Sequence, residues 1–231
     1  MSRWALLPWL DLLAVAGFFA GWAGYAWFAV MHGRRRSSLL DTSNRVRRDW
    51  MEQMTWREVR IIDGAIAQSL STSPNFFAST TILIIGGLLA ALGTSEKASE
   101  MVQELPFAVQ TTSTVFDLKL VMLTGVFVHA FFRFTWSMRQ YSFGALLVAA
   151  APTAEAFAQD ELDRAAWADR AGTVMGLAAE AFNDGLRAYY FSFAAVAWFF
   201  SPLACLAATV AVIQVLYRRE FHSAVLVALR G

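Results

Sequence analysis

The chain has 231 residues, of which 57% are hydrophobic, with 19 Phe and 9 Trp, and a mean hydropathy of +0.45. Soluble domains carry about 45–50% apolar residues, so this is the composition of a membrane protein. A net charge of +1 argues against the strongly basic face that nucleic-acid binding requires, and the single cysteine, Cys205, excludes an intramolecular disulfide or a thiolate metal cluster.

Residues 8–31 form the first apolar run, long enough to cross roughly 30 Å of hydrocarbon. The run ends in His32-Gly33-Arg34-Arg35-Arg36 rather than in a small-residue cleavage site, so it is expected to be an anchor and not a cleaved signal. Gly17, Gly21 and Gly24 share one face. They are candidate helix-packing residues, offering the close approach of small-xxx-small pairs, or they reflect only the frequency of Gly in membrane helices. Asp11 lies in the first turn, where the helix dipole favours a carboxylate.

Residues 33–73 are polar, with eight Arg and five acids. As the richest basic loop in the chain it is expected in the cytoplasm, leaving the N-terminus outside. Apolar spacing predicts a helix over 43–71 packed on protein, with Arg34, Arg35 and Arg36 near lipid headgroups. Ser73-Pro74 then marks the expected start of a second span at 75–93. That span carries the small-residue candidates Gly86 and Gly87. Residues 94–114, with Lys97 as their only base, belong outside.

The third span is expected at 115–135. Here Lys119, His129, Arg133, Ser137 and Gln140 lie near one stripe of the helix. Such a stripe is costly against lipid and must face protein, water or an anion. A helix over 114–150 would measure roughly 55 Å and outrun the membrane. It is expected to project into the cytoplasm; the competing reading is a re-entrant segment at 143–152. Residues 153–187 hold seven acids and three Arg, and complement the arginine-rich loop. Residues 34–73 and 139–187 are therefore expected to pack together as a cytoplasmic helical layer. A fourth span at 188–217 is kinked or interrupted at Ser201-Pro202. Four spans put the tail, with Arg218, Arg219 and Arg230, outside, against the positive-inside bias.

No phosphate-loop, dinucleotide, zinc-protease, nucleophile-elbow or dithiol motif is present. The three histidines, His32, His129 and His222, lack metal-ligand spacing. The expectation is no catalytic residue, no metal and no cofactor. Intramembrane and boundary polar residues remain as pore or solute candidates: Lys119, His129, Arg133, Ser137, Arg139, Asn183, Asp184 and Arg187. The competing account is mutual neutralisation, with Arg133 or Arg187 paired to Asp184 or Asp11; for Lys119 and Asp117 the alternative is a place at the outer interface.

Two strings, Trp136-Ser137-x-Arg139-x-Tyr141 and Phe182-Asn183-x-Gly185-x-Arg187-x-Tyr189-Tyr190-Phe191, together with the four-span pattern, resemble the membrane-protein family filed as domain of unknown function 599. The resemblance implies an integral membrane protein and brings no substrate, cofactor or catalytic residue.

The sequence thus predicts a single all-α integral membrane domain over 1–231, with four transmembrane helices and long cytoplasmic helical extensions. It is expected in a plasma membrane of the bacterial inner-membrane kind, as a homo-oligomer with the lipid bilayer as its partner. The function expected is a channel or transporter for a small ion or anionic solute, with Arg133, His129 and Arg187 lining it. The alternative is a non-conducting scaffold or regulatory protein whose cytoplasmic helices bind a partner, and a membrane enzyme ranks third.

Overall fold

The structure is a computed structural model and describes residues 9–35, 38–94, 101, 112–159 and 163–230. The described residues are α-helical, with no strand. In chain order the helices are α1 (Trp9–Arg35), α2 (Leu39–Thr55), α3 (Ile61–Gly93), α4 (Ser113–Ala149), α5 (Ala154–Ala158), α6 (Arg164–Ala197), α7 (Pro202–Phe221) and α8 (Ala224–Arg230). Four stretches are long and apolar enough to cross a membrane: Trp9–Gly33, Ile61–Gly93, Ser113–Ala149 and Pro202–Arg230. The protein is an all-α, multi-pass membrane protein.

Three boundaries differ from the sequence reading. The helix expected over 43–71 is two helices, because α2 ends at Thr55 and α3 begins at Ile61. Correspondingly, Pro74 does not open the second span but lies inside α3. An isolated Pro costs one backbone bond, which a membrane helix tolerates where its neighbours and its own hydroxyl side chains share the load. The stretch 188–217 is divided between the end of α6 and α7. Ser201 caps α7, its hydroxyl accepting from the Ala204 N–H at 3.0 Å, and Pro202 takes the first helical position, where its missing N–H costs nothing. In α4 the helix runs through Gly144 to Ala149 without turning back, so the continuous-helix reading holds and the re-entrant one does not.

The described chain forms two compact units. The first comprises Met1–His32, Thr80–Ala130 and Leu186–Arg219. In it α1 lies close against α7: a Cβ on Gly17 would meet Leu206 at 2.5 Å, and one on Gly21 would meet Thr209 at 2.8 Å. Phe18 is fully buried, and the Trp22 ring stacks on Phe191 at 5.6 Å.

The second unit comprises Gly33–Ser79, Phe131–Gly185 and Glu220–Gly231. Its core joins Met51 and Met54 of α2, Ala67 of α3, Tyr141 and Val148 of α4, and Met175 of α6. Helices α2 and α6 pack on each other: a Cβ on Gly172 would lie 3.0 Å from the Arg48 Cα, and Arg48 reaches Asp169 at 3.7 Å. The helix ends are tied by cations. Arg60 donates to the carbonyls of Ala151 and Pro152 just past α4. Arg164 donates to Thr55 at the end of α2 (3.1 Å) and lies 3.5 Å over the Trp56 ring. Burial lowers the Arg60 pKa from its ordinary value and Asp63 opposes that shift; arginine stays charged through such perturbation. The C-terminal helix α8 packs on α2, with Leu226 buried.

Candidate functional site

The eight candidates fall into both units: Lys119, His129 and Arg187 in the first, and Arg133, Ser137, Arg139, Asn183 and Asp184 in the second.

In the second unit three of the candidates, Arg133, Ser137 and Asp184, are held by neighbouring groups. Arg133 Nη2 lies 2.5 Å from Asp184 Oδ2, with side chains 30% and 31% exposed. This is the mutual neutralisation that the sequence allowed. The Arg133 Nε has no hydrogen-bond partner among the described residues. Ser137 is fully buried and its hydroxyl donates to the Ala178 carbonyl at 2.7 Å, pinning α4 to α6. Close by, Gly185 leaves room for the Phe134 ring, which stacks on Phe77 at 5.3 Å and tilts against Phe182 at 5.7 Å. Arg139 is exposed and Asn183 half-buried. Gln140 is buried, in line with its place on the stripe.

The first unit holds a different arrangement. Lys119, on the second turn of α4, is 1% exposed. Its ammonium sits 5.3 Å from the centre of the Trp198 ring, a cation–π geometry. The indole Nε1–H of Trp198 donates to Asp11 Oδ1 at 2.7 Å, and Asp11 is itself 3% exposed. Asp11 is the carboxylate that acts electrostatically on Lys119. No salt bridge to Lys119 exists among the described residues. One indole therefore serves two charges, its N–H the carboxylate and its ring face the ammonium.

The other candidates of this unit surround aromatic rings. Arg187 is 6% exposed with its guanidinium 5.7 Å from the Tyr25 ring. His129 stands edge-on to Trp22 at 5.4 Å. An apolar groove of about 420 Å³, lined by Gly21, Gly24, Tyr25, Phe28, Ile213 and Tyr217 among others, opens between α1 and α7. Among the described residues no three His, Cys, Asp or Glu side chains come close enough to hold a metal ion.

Sequence reasoning found Lys119 but not its setting. Asp11 is explained in isolation by the helix dipole, and Trp198 is one aromatic among many. The available signal was positional: Asp11 stands in the first turn of its helix and Lys119 in the second turn of α4, so parallel spans would bring them to the same depth.

Neither curated proteins nor solved structures yield a match to this chain. The family model described as protein of unknown function, DUF599, matches residues 13–225, and the chain belongs to that family.

Proposed function

We propose that the protein moves a small ion or anionic solute across the membrane in which it sits, with Lys119 as the intramembrane group that meets the solute. The observation that carries this reading is the burial of Lys119 without a salt bridge among the described residues, in a helix apolar enough to span. Lys119 lies on the second turn of its span, toward the end of the membrane where α1 begins, and buried ionisable residues within membrane segments mark ion and substrate pathways. The Trp198 ring attracts the ammonium without neutralising it. The Asp11 carboxylate nearby keeps the site from holding an anion too tightly to release, as conduction requires. Arg133 belongs to the scaffold in this reading, since Asp184 already answers its charge.

The protein works as a homo-oligomer in a plasma membrane, with residues 33–73 in the cytoplasm, where their eight arginines favour them. Gly17 and Gly21 are already filled by α7. Gly24, Gly86 and Gly87, whose Cβ positions meet nothing, offer the remaining small-residue faces for a second copy.

The reading is tested in proteoliposomes carrying chloride, nitrate, sulfate, sodium or potassium. Flux of at least one anion by the parent protein is expected, with loss of that flux in Lys119→Gln at unchanged folding. Absence of flux for every ion tested, or equal flux in the variant, removes transport from consideration. The second reading, a scaffold, draws on the exposed Trp56, Val59, Ile61 and Ile62 where α2 meets α3; it gains weight in that event.

A further inference from the structure

Hydropathy finds four crossings, and four crossings put the C-terminal helix on the side of the membrane opposite to α2. Three contacts argue otherwise, each needing its two partners on one side or at one depth.

The first contact is at the start of α1. Asp11, in its first turn, accepts the Trp198 indole N–H at 2.7 Å. Trp198 begins the four-residue break between α6 and α7. The α6–α7 turn therefore lies at the end of the membrane where α1 begins.

The second contact is at the other end of α1. Only a short link separates Arg35 from α2, and Ser38 caps α2 by accepting from the Asp41 N–H at 3.1 Å. So α2 lies where α1 leaves the membrane. Arg164, the first residue of α6, donates to the carbonyl of Thr55, the last residue of α2, at 3.1 Å. Helix α6 thus starts on the α2 side and finishes at the start of α1.

The third contact is made by the tail. Helix α8 packs on α2 with Leu226 buried, so α7 runs back from the Trp198 turn to the α2 side. We infer that α6 is a fifth membrane-crossing helix and that the C-terminal tail shares the side of residues 39–60.

The reason hydropathy passes over α6 is visible in its surroundings. A helix facing lipid must be apolar on its outer surface; one ringed by other helices need not be. In α6, Ala171, Met175, Ala178, Ala188, Phe191 and Ala194 are all fully buried. Two of its charged residues are answered inside the protein, Asp184 by Arg133 and Arg187 over Tyr25. The helix has 34 residues, a length of roughly 50 Å, ample for a crossing. Its many alanines let neighbouring backbones close in.

Five crossings also repair the charge pattern. Arg218, Arg219 and Arg230 then join the eight arginines of residues 33–73 on one face, as the positive-inside bias requires. The tail helix becomes part of the same surface as α2, available to whatever binds there.

The test is single-cysteine accessibility in intact cells and in inverted vesicles, using the full chain with the buried Cys205 as the unlabelled background. Glu52→Cys reports α2, Thr94→Cys the far end of α3, and Ala228→Cys the tail; all three positions are exposed. The expected result is that Ala228→Cys labels from the same side as Glu52→Cys and from the side opposite to Thr94→Cys. Labelling of Ala228→Cys together with Thr94→Cys, or from both sides, overturns the fifth crossing. Should a cysteine variant fail to fold, a reporter fused after Gly231 reads the sidedness of the tail in its place, with the same two outcomes.

Discussion

The most informative perturbation of the charged cluster is at Asp11. Its Oδ1 accepts the Trp198 indole at 2.7 Å, and Trp198 is fully buried. Asp11→Ala removes the acceptor and strands that N–H, at a cost of about 1–3 kcal/mol. It also takes away the carboxylate that acts on Lys119 from the far side of Trp198, a loss that overlaps the first at one site. Asp11→Asn keeps an acceptor for the indole while removing the charge, so it separates the two effects. Denaturant unfolding in a fixed detergent, followed by tryptophan fluorescence, measures both variants against Leu12→Ala, an exposed neighbour on the same turn. The expected order is Ala worse than Asn by about 1–3 kcal/mol, and both worse than Leu12→Ala. Asp11→Ala within about 0.5 kcal/mol of that surface control would refute the Asp11–Trp198–Lys119 arrangement.

Other consequences follow from the packing. A double-mutant cycle of Arg133→Gln and Asp184→Asn should show a coupling of about 0.5–3 kcal/mol, because the pair is at 2.5 Å and only about a third exposed; additive losses would dissolve the ion pair. Gly172→Ala should destabilise by about 1–3 kcal/mol through overpacking, since the obstacle at 3.0 Å is the Arg48 backbone. Gly64→Ala, which meets nothing, is its control, and equal thermal midpoints for the two would contradict the α2–α6 packing. Arg60→Met should cost about 1–3 kcal/mol by leaving the Ala151 and Pro152 carbonyls without their donor, and an unchanged unfolding midpoint would show that water replaces it.

Much of the fold was legible because lipid imposes a strong rule on sequence. Helices α1, α3 and α4 announce themselves as long apolar runs, and the arginines of residues 33–73 mark a segment that packs on the acidic stretch after 153. The pairing of Arg133 with Asp184 was also within reach, since buried opposite charges seek one another. What the sequence hid was decided by neighbours. Pro74 signals a helix start on local propensity, yet tertiary packing carries α3 through it. The part of α6 up to Arg187 carries Asp184 and Arg187 and so reads as a polar layer, although one face of the helix is fully buried in protein. The Asp11–Trp198 bond joins residues 187 positions apart, and nothing in local spacing encodes such a contact.

The central claim is that Lys119 receives an anion, and ligand-dependent stability tests it most directly. A ligand that binds only the folded state stabilises it by about 2.7 kcal/mol at one hundred times its dissociation constant. Thermal unfolding of the parent protein and of Lys119→Gln should be recorded against rising chloride, nitrate, phosphate and small carboxylates at constant ionic strength. The account predicts a saturable rise of the midpoint for at least one anion in the parent, and no such rise in Lys119→Gln. Equal rises in both proteins, or no rise with any anion while the parent remains folded, would contradict it.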